Sequence, residues 1–199
     1  MDTQSTPLQN TAPPQRHFLI ELVRFAVIAI LIVFPIRFFI AQPFIVSGAS
    51  MEPTFENGQY LIVDEITYRV EEPKRGDVII FRYPRDQSKF FIKRIIALPG
   101  ETIQIDGKKM IVHNAARPDG FVLDEPYVSK MSKPAFLTQQ LKNDEYFVLG
   151  DNRDESSDSR TWGVLKRDLI VGRAFLRLLP IGDAAVFPGH NTFLETAPR

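Results

Sequence analysis

The stretch Phe18 to Ala41, FLIELVRFAVIAILIVFPIRFFIA, constrains this chain more than any other. Its 24 residues at ~1.5 Å rise make a helix of about 36 Å, against a hydrocarbon core of ~30 Å. Three charges interrupt it. Glu21 and Arg24 lie three apart near the entry end and can pair on one face. Arg37 lies near the exit, where a long side chain can reach the headgroups. Pro35 kinks a helix, a defect tolerated better in lipid than in water. The uninterrupted run, Phe25 to Ile36, is only 12 residues long, which suits the apolar region of a cleavable signal or a buried helix. The following residues feed the same rivalry. In FIVSGASMEPTF, Phe44 to Phe55, the triplet Ser47-Gly48-Ala49 is small-x-small, as at the end of a secretory signal. A cleavable signal passes to its cut in a few residues without a charge, whereas here Arg37 and the block Phe38–Ala41 intervene. The expectation is a single-pass anchor over 18–41 behind a disordered polar tail over 1–17, with the rest of the chain on the extracytoplasmic side of the cell membrane. Arg16 and Arg24 give that orientation weak positive-inside support.

From Gln42 onward the texture changes. YLIVDEITYRV, PKRGDVIIFRYP, KFFIKRIIALPGE, EYFVLGDN and DLIVGRAFLRLLP are short β-rich runs broken by turn residues. TIQIDGKKMIV places Asp106-Gly107 between alternating runs, a strong hairpin signal. No long helical pattern separates these runs, so an all-β domain over 42–199 is preferred to a parallel α/β sheet. Within it, residues of about 101–145 read as a smaller inserted β-hairpin subdomain, polar and less patterned from Arg117 to Asp144. The fold class is mainly β behind one transmembrane helix. Basic and acidic residues balance at 24 each, and no Lys/Arg run suggests a nucleic-acid arm. Cysteine is absent, which excludes disulfides, thiol catalysis and thiolate zinc sites. The 16 phenylalanines suit either β-core packing or an apolar groove.

Three stretches could carry chemistry. Ser50 follows Gly48 and precedes Pro53, residues that let backbone approach a substrate closely, but a serine needs a base. His17, His113 and His190 have no motif context, and no G-x-S-x-G elbow is present. Lys93 is the better candidate. In a strand it shares a face with Phe91, Ile95 and Ala97, while Ile92, Arg94, Ile96 and Leu98 share the other. An ammonium on an apolar face is desolvated, so its neutral form becomes accessible and can take a serine proton. Arg94 cannot do this, because guanidinium keeps its charge. The competing reading is a lysine near a strand end with its head in water. The third stretch is GDNRDESSDSRTWG, Gly150 to Gly163, whose acids, asparagine and arginines suit a rigid loop. Ser156 or Ser157 could orient a lysine amine there. Calcium fits poorly, since the spacing fails the EF-hand template.

Together these pieces resemble bacterial type I signal peptidases, also called leader peptidases. SGASMEPTF, RGDVIIFRYP, FIKRIIALPGE and GDNRDESSDSRTWG match in order, from about Phe18 to Leu179. The resemblance implies a membrane-anchored serine endopeptidase acting near the secretion translocon on preproteins with small residues at −1 and −3, with no metal or organic cofactor. It implies Ser50 as nucleophile, Lys93 as general base and Ser156 as the hydroxyl that bonds the lysine. Asp158 and Arg160 would form a supporting pair, with Asp151 and Arg153 as scaffold. The Ser50 amide would serve the oxyanion. Many family members carry a serine where this chain has Gly48, so the second donor is left among the Gly48 amide, a water and the Ser47 hydroxyl. Val46, Phe91 and Ile92 would line the pockets for small residues. Two rivals stand beside this: another Ser-Lys peptidase of related fold, such as a self-cleaving repressor, and a secreted non-enzymatic β-domain cut after its own Ala49.

Overall fold

The computed structural model describes residues 15–35, 41–128, 131, 133–191 and 195–196. The chain divides into two compact units, Met1–Phe38 and Phe39–Arg199. In the first, helix α1 spans Gln15–Pro35. The expected tail is therefore shorter than 1–17, because Gln15 to His17 join the helix; Gln and Arg are good helix formers and extension beyond a formed turn costs little. Residues 1–14 lie outside the described residues.

The expected transmembrane span is met only in part. The described helix ends at Pro35, residues 36–40 of the span lie outside the described residues, and Ala41 begins a strand. Among the described residues no helix is long and apolar enough to cross a membrane. The apolar side chains of α1 are nonetheless exposed: Phe18, Ile20, Val23, Phe25, Ile30 and Leu31 are each more than half exposed.

The second unit is mainly β, as the short punctuated runs predict. Among the described residues its larger sheet contains β1 (Ala41–Ile45), β2 (Tyr60–Asp64), β3 (Val78–Tyr83), β4 (Asp86–Ala97), β9 (Glu145–Leu149), β10 (Leu165–Lys166), β11 (Ile170–Leu179) and β12 (Ala185–Val186). They run in the order β1-β2-β11-β3-β4-β9-β10, with β12 added on β11. The smaller sheet contains β5 (Thr102–Gly107), β6 (Lys109–Asn114), β7 (Arg117–Leu123), β8 (Ala135–Gln140) and β13 (Glu195–Thr196), in the order β13-β7-β6-β5-β8. The Asp106-Gly107 hairpin is thus the centre of a five-stranded sheet rather than a small hairpin on its own. Polar strands such as β8 hide there, because alternate residues face solvent and dilute the apolar signal.

Burial explains why the sheet edges meet where they do. β9, EYFVL, is buried along its whole length, as a central strand covered on both faces must be. Ile96, Ala97, Phe147 and Leu149 join Ile103, Ile105, Met110, Val112 and Phe121 in one core that ties the two sheets together. The strict alternation read for β4 holds through Ile95, which packs with Ile79 and Phe81. A register shift between Ile95 and Ala97 against β9 then sends Ile96 and Ala97 into the same cluster, the usual effect of a bulge. A third cluster, Val46, Met51, Phe55, Leu61, Val63, Val78, Ile80 and Ala174, lies under the loop that follows β1.

Candidate active site

Ser50 sits just beyond edge strand β1, at the start of a turn closed by Glu52 N–H donating to Ala49 O at 3.1 Å and Phe55 N–H to Met51 O at 2.9 Å. Met51 and Phe55 anchor this turn with fully buried side chains. Gly48 enters it with φ +91°, a conformation that glycine adopts without strain. Arg177 of β11 holds the far end, donating from Nη1 to Thr54 O at 2.9 Å. The serine is therefore presented by a packed, doubly tethered loop.

The lysine arrives from β4, paired opposite Ile79 of β3. Its amine is buried, 2.7 Å from Ser50 Oγ and 2.8 Å from the Ile92 carbonyl. The ring of Phe91 lies 5.5 Å away. Burial pushes the Lys93 pKa down from 10.5 to about 8, against the opposing pull of Asp158 and Asp151. Desolvation dominates because both carboxylates are already matched by guanidinium groups. A neutral amine near physiological pH, in contact with a serine hydroxyl, is a general base beside its nucleophile. The reading of Lys93 as a solvated strand-end lysine is overturned: the side chain lies inside, not along, the surface.

The Gly150–Gly163 stretch folds against both arms. Asn152 donates from its backbone N–H to Ser50 O and from Nδ2 to Ala49 O, each at 3.1 Å. Gly150 lies so close that a Cβ there would stand 2.4 Å from Ser50 O and 2.3 Å from Ser156 Oγ. Asp151 forms a two-pronged pair with Arg94, 2.8 Å from Nε and 2.5 Å from Nη2, with neither side chain exposed. Thr54 Oγ1 donates to the same carboxylate at 2.5 Å. Asp158 caps α2 (Ser159–Trp162), accepting from Arg160 N–H, and pairs with the Arg160 guanidinium at 2.7 and 2.8 Å. It also accepts from Gly150 N–H at 3.2 Å. Arg153 pairs with Glu125 at 2.9 and 2.5 Å, tying the loop to the segment after β7.

The structure thus brings Ser50, Lys93, Asp158 and Arg160 together with the scaffold residues Asp151 and Arg153. Ser156 lies next to them, but its hydroxyl is buried without a hydrogen-bond partner, and no bond joins it to Lys93. Gly48 differs from expectation too: its amide donates to Asn57 Oδ1 at 2.9 Å, so it is engaged rather than free. Sequence reasoning missed Thr54 and Asn57 and gave Arg94 only a negative role. No local signal marks them, since Thr54 and Asp151 are 97 residues apart.

A groove of about 480 Å³ runs from the Ser50–Lys93 contact between residues 44–49 on one side and 89–93 on the other. Val46, Phe91 and Ile92 all line it. The rings of Phe44 and Phe90 meet edge-on at 5.3 Å. Among the described side chains no histidine lines this groove. Likewise no cluster of three or more His, Asp or Glu is arranged to hold a metal ion among the described residues.

Comparison with known proteins agrees with this geometry. The family described as "Signal peptidase, peptidase S26" matches residues 19–179. The chain is 35% identical to a "Probable signal peptidase I-2" of Synechocystis sp., over 89% of this chain and 81% of that one. It is 34% identical to a "Signal peptidase I" of Leptolyngbya laminosa, over 89% of each. It is 32% identical to "Signal peptidase I T" of Bacillus subtilis, over 92% of this chain and 96% of that one.

Proposed function

The chain belongs to the signal peptidase family, peptidase S26, and is a hydrolase of the signal peptidase I kind; we propose that it cleaves signal peptides from exported preproteins with Ser50 as nucleophile and neutral Lys93 as general base. The observation that carries this reading is the 2.7 Å contact between Ser50 Oγ and a buried lysine amine. Lys93 Nζ takes the hydroxyl proton as Oγ attacks the scissile carbonyl. The Ser50 amide donates to the developing oxyanion, and Ser156 bonds the amine during turnover. Lys93 then gives its proton to the leaving amine, which departs as the new N-terminus and leaves an acyl-enzyme. The same amine activates the water that hydrolyses the ester. Asp158 with Arg160, and Asp151 with Arg94, hold the loop that backs the serine.

The groove beside Ser50 suits an extended peptide, and Val46, Phe91 and Ile92, which line it, are assigned to the pockets for small residues at −1 and −3. Helix α1 attaches the enzyme to the membrane: its exposed apolar side chains favour lipid over water. In this reading the second unit lies on the extracytoplasmic side. Flotation with liposomes checks the attachment, with a chain starting at Phe39 expected to remain in the soluble fraction.

The dyad is tested by steady-state cleavage of a fluorogenic signal peptide carrying alanine at −1 and −3. Ser50→Ala and Lys93→Ala lower kcat by about 10⁴-fold or more. Lys93→Arg stays inactive because guanidinium does not deprotonate. For the parent enzyme, kcat/KM rises with pH through about 8, as the buried amine loses its proton. Near-parental cleavage by either alanine variant removes the dyad.

A further inference from the structure

We infer that the C-terminal strap Phe187–His190, which lies beyond the segment matched to the family, positions the serine and lysine arms against each other, with Gly189 as the contact point. The family match ends at residue 179. Past it the chain makes a 3₁₀ turn at Ile181–Asp183, pairs β12 with β11, and turns back over the core. Phe187 N–H donates to Phe175 O at 2.7 Å, and its ring lies edge-on to Phe175 at 5.2 Å and under the Arg173 guanidinium at 4.7 Å. His190 N–H closes the turn on Phe187 O at 3.1 Å.

Gly189 lies at the apex, with φ +73°. A Cβ there would stand 2.5 Å from Thr54 Cγ2, 3.1 Å from Phe55 Cε2 and 3.4 Å from Arg94 Nη2. Thr54 and Phe55 belong to the loop that carries Ser50, and Arg94 is the neighbour of Lys93. One residue of the strap therefore touches both arms. Its carbonyl also accepts from Arg94 Nη1 at 2.5 Å, while Gly76 O accepts from the same nitrogen at 3.0 Å. A buried guanidinium needs its N–H groups satisfied. With Asp151 on Nε and Nη2 and the Tyr127 ring 3.9 Å away, the Gly189 carbonyl completes the Arg94 environment.

This role rests on the Ser50–Lys93 reading above. The charged groups around Lys93 are Asp151, matched by Arg94, Asp158, matched by Arg160, and the groove residues Lys89 and Glu155. Slackening the strap loosens Arg94, leaves Asp151 less neutralised and admits water. Each change favours protonated Lys93, so the acid limb of kcat/KM moves to higher pH.

The test is steady-state kinetics on the full chain with the same fluorogenic peptide, reading kcat, KM and the acid limb. Gly189→Ala is expected to lower kcat about tenfold, a barrier change of the size that small misplacements produce. KM stays within twofold and the acid limb moves up. Thr54→Ser in the Gly189→Ala background removes the clashing methyl, keeps the hydroxyl on Asp151 and regains part of the loss, the remainder being the strain of a side chain at φ +73° and the approach to Phe55. Phe187→Ala loosens the strap without a clash, moves the limb the same way, and carries the test by itself if Gly189→Ala does not fold. Gly182→Ala, where a Cβ meets nothing within 4 Å, is the control and behaves as parent. The inference is overturned if Gly189→Ala and Phe187→Ala lower the melting temperature alone, with kcat per folded enzyme and acid limb unmoved. Activity surviving in Ser50→Ala or Lys93→Ala refutes the dyad instead, a separate result.

Discussion

Replacing Lys93 by methionine should abolish activity and make the protein more stable at pH 7. The folded pKa of about 8 lies below the ordinary 10.5, so folding disfavours the protonated form. At ~1.36 kcal/mol per pH unit that gap is about 3 kcal/mol. The sign follows from proton counts. Between pH 8 and 10.5 the unfolded chain holds the lysine proton and the folded chain does not, so stability rises with pH across that window. Below pH 8 both states hold it and the full penalty is present. Methionine fills a similar volume against Phe91 without carrying charge. Loss of the bonds to Ser50 Oγ and Ile92 O offsets about 1 kcal/mol of the gain. A net gain of about 2 kcal/mol at pH 7 remains, shrinking towards zero or reversing near pH 10.5. Urea unfolding at several pH values, followed through Trp162, the single tryptophan and largely buried, measures it. A Lys93→Met variant no more stable than parent at pH 7, or a gap independent of pH, would falsify the claim that burial sets this amine's acidity.

Two further outcomes follow from the loop behind the dyad. Asp151→Ala strands the Arg94 guanidinium in a fully buried site and should cost about 3–5 kcal/mol; Arg94→Met with Asp151→Leu should recover much of that loss, and additive single and double changes in urea unfolding would contradict a coupled pair. Gly150→Ala forces a Cβ against Ser50 O and Ser156 Oγ, displacing the nucleophile, and should lower kcat about 10²-fold with a smaller effect on KM, read with the fluorogenic peptide.

Much of the chemistry was legible residue by residue. The apolar neighbours of Lys93 marked it as a candidate base but left a solvated strand-end lysine as the competing reading, which only burial in the fold removed; the Gly150–Gly163 composition announced a rigid loop, which depends on local pattern. The strand alternation also held until the register shift after Ile95, which depends on β9 and leaves no mark in β4. The extent of the smaller sheet was not legible, since its outer strands expose alternate residues and read as polar loop. The expected membrane helix is described only as far as Pro35, and residues 36–40 of the span lie outside the described residues.

By itself, the sequence determined which groups this protein could use: a serine on a glycine-flanked turn, a lysine on an apolar strand face, and a charged loop with no cysteine or well-placed histidine to compete. Those are properties of side chains and their near neighbours. Only the tertiary structure decided that Lys93 Nζ reaches Ser50 Oγ across 43 residues of chain. It also decided that Asp151 takes Arg94 rather than Arg153, and that Gly189 closes over both arms from the far end of the molecule. Such contacts are fixed by strand order and register, and those are set by the packing of three cores that no single stretch of sequence contains.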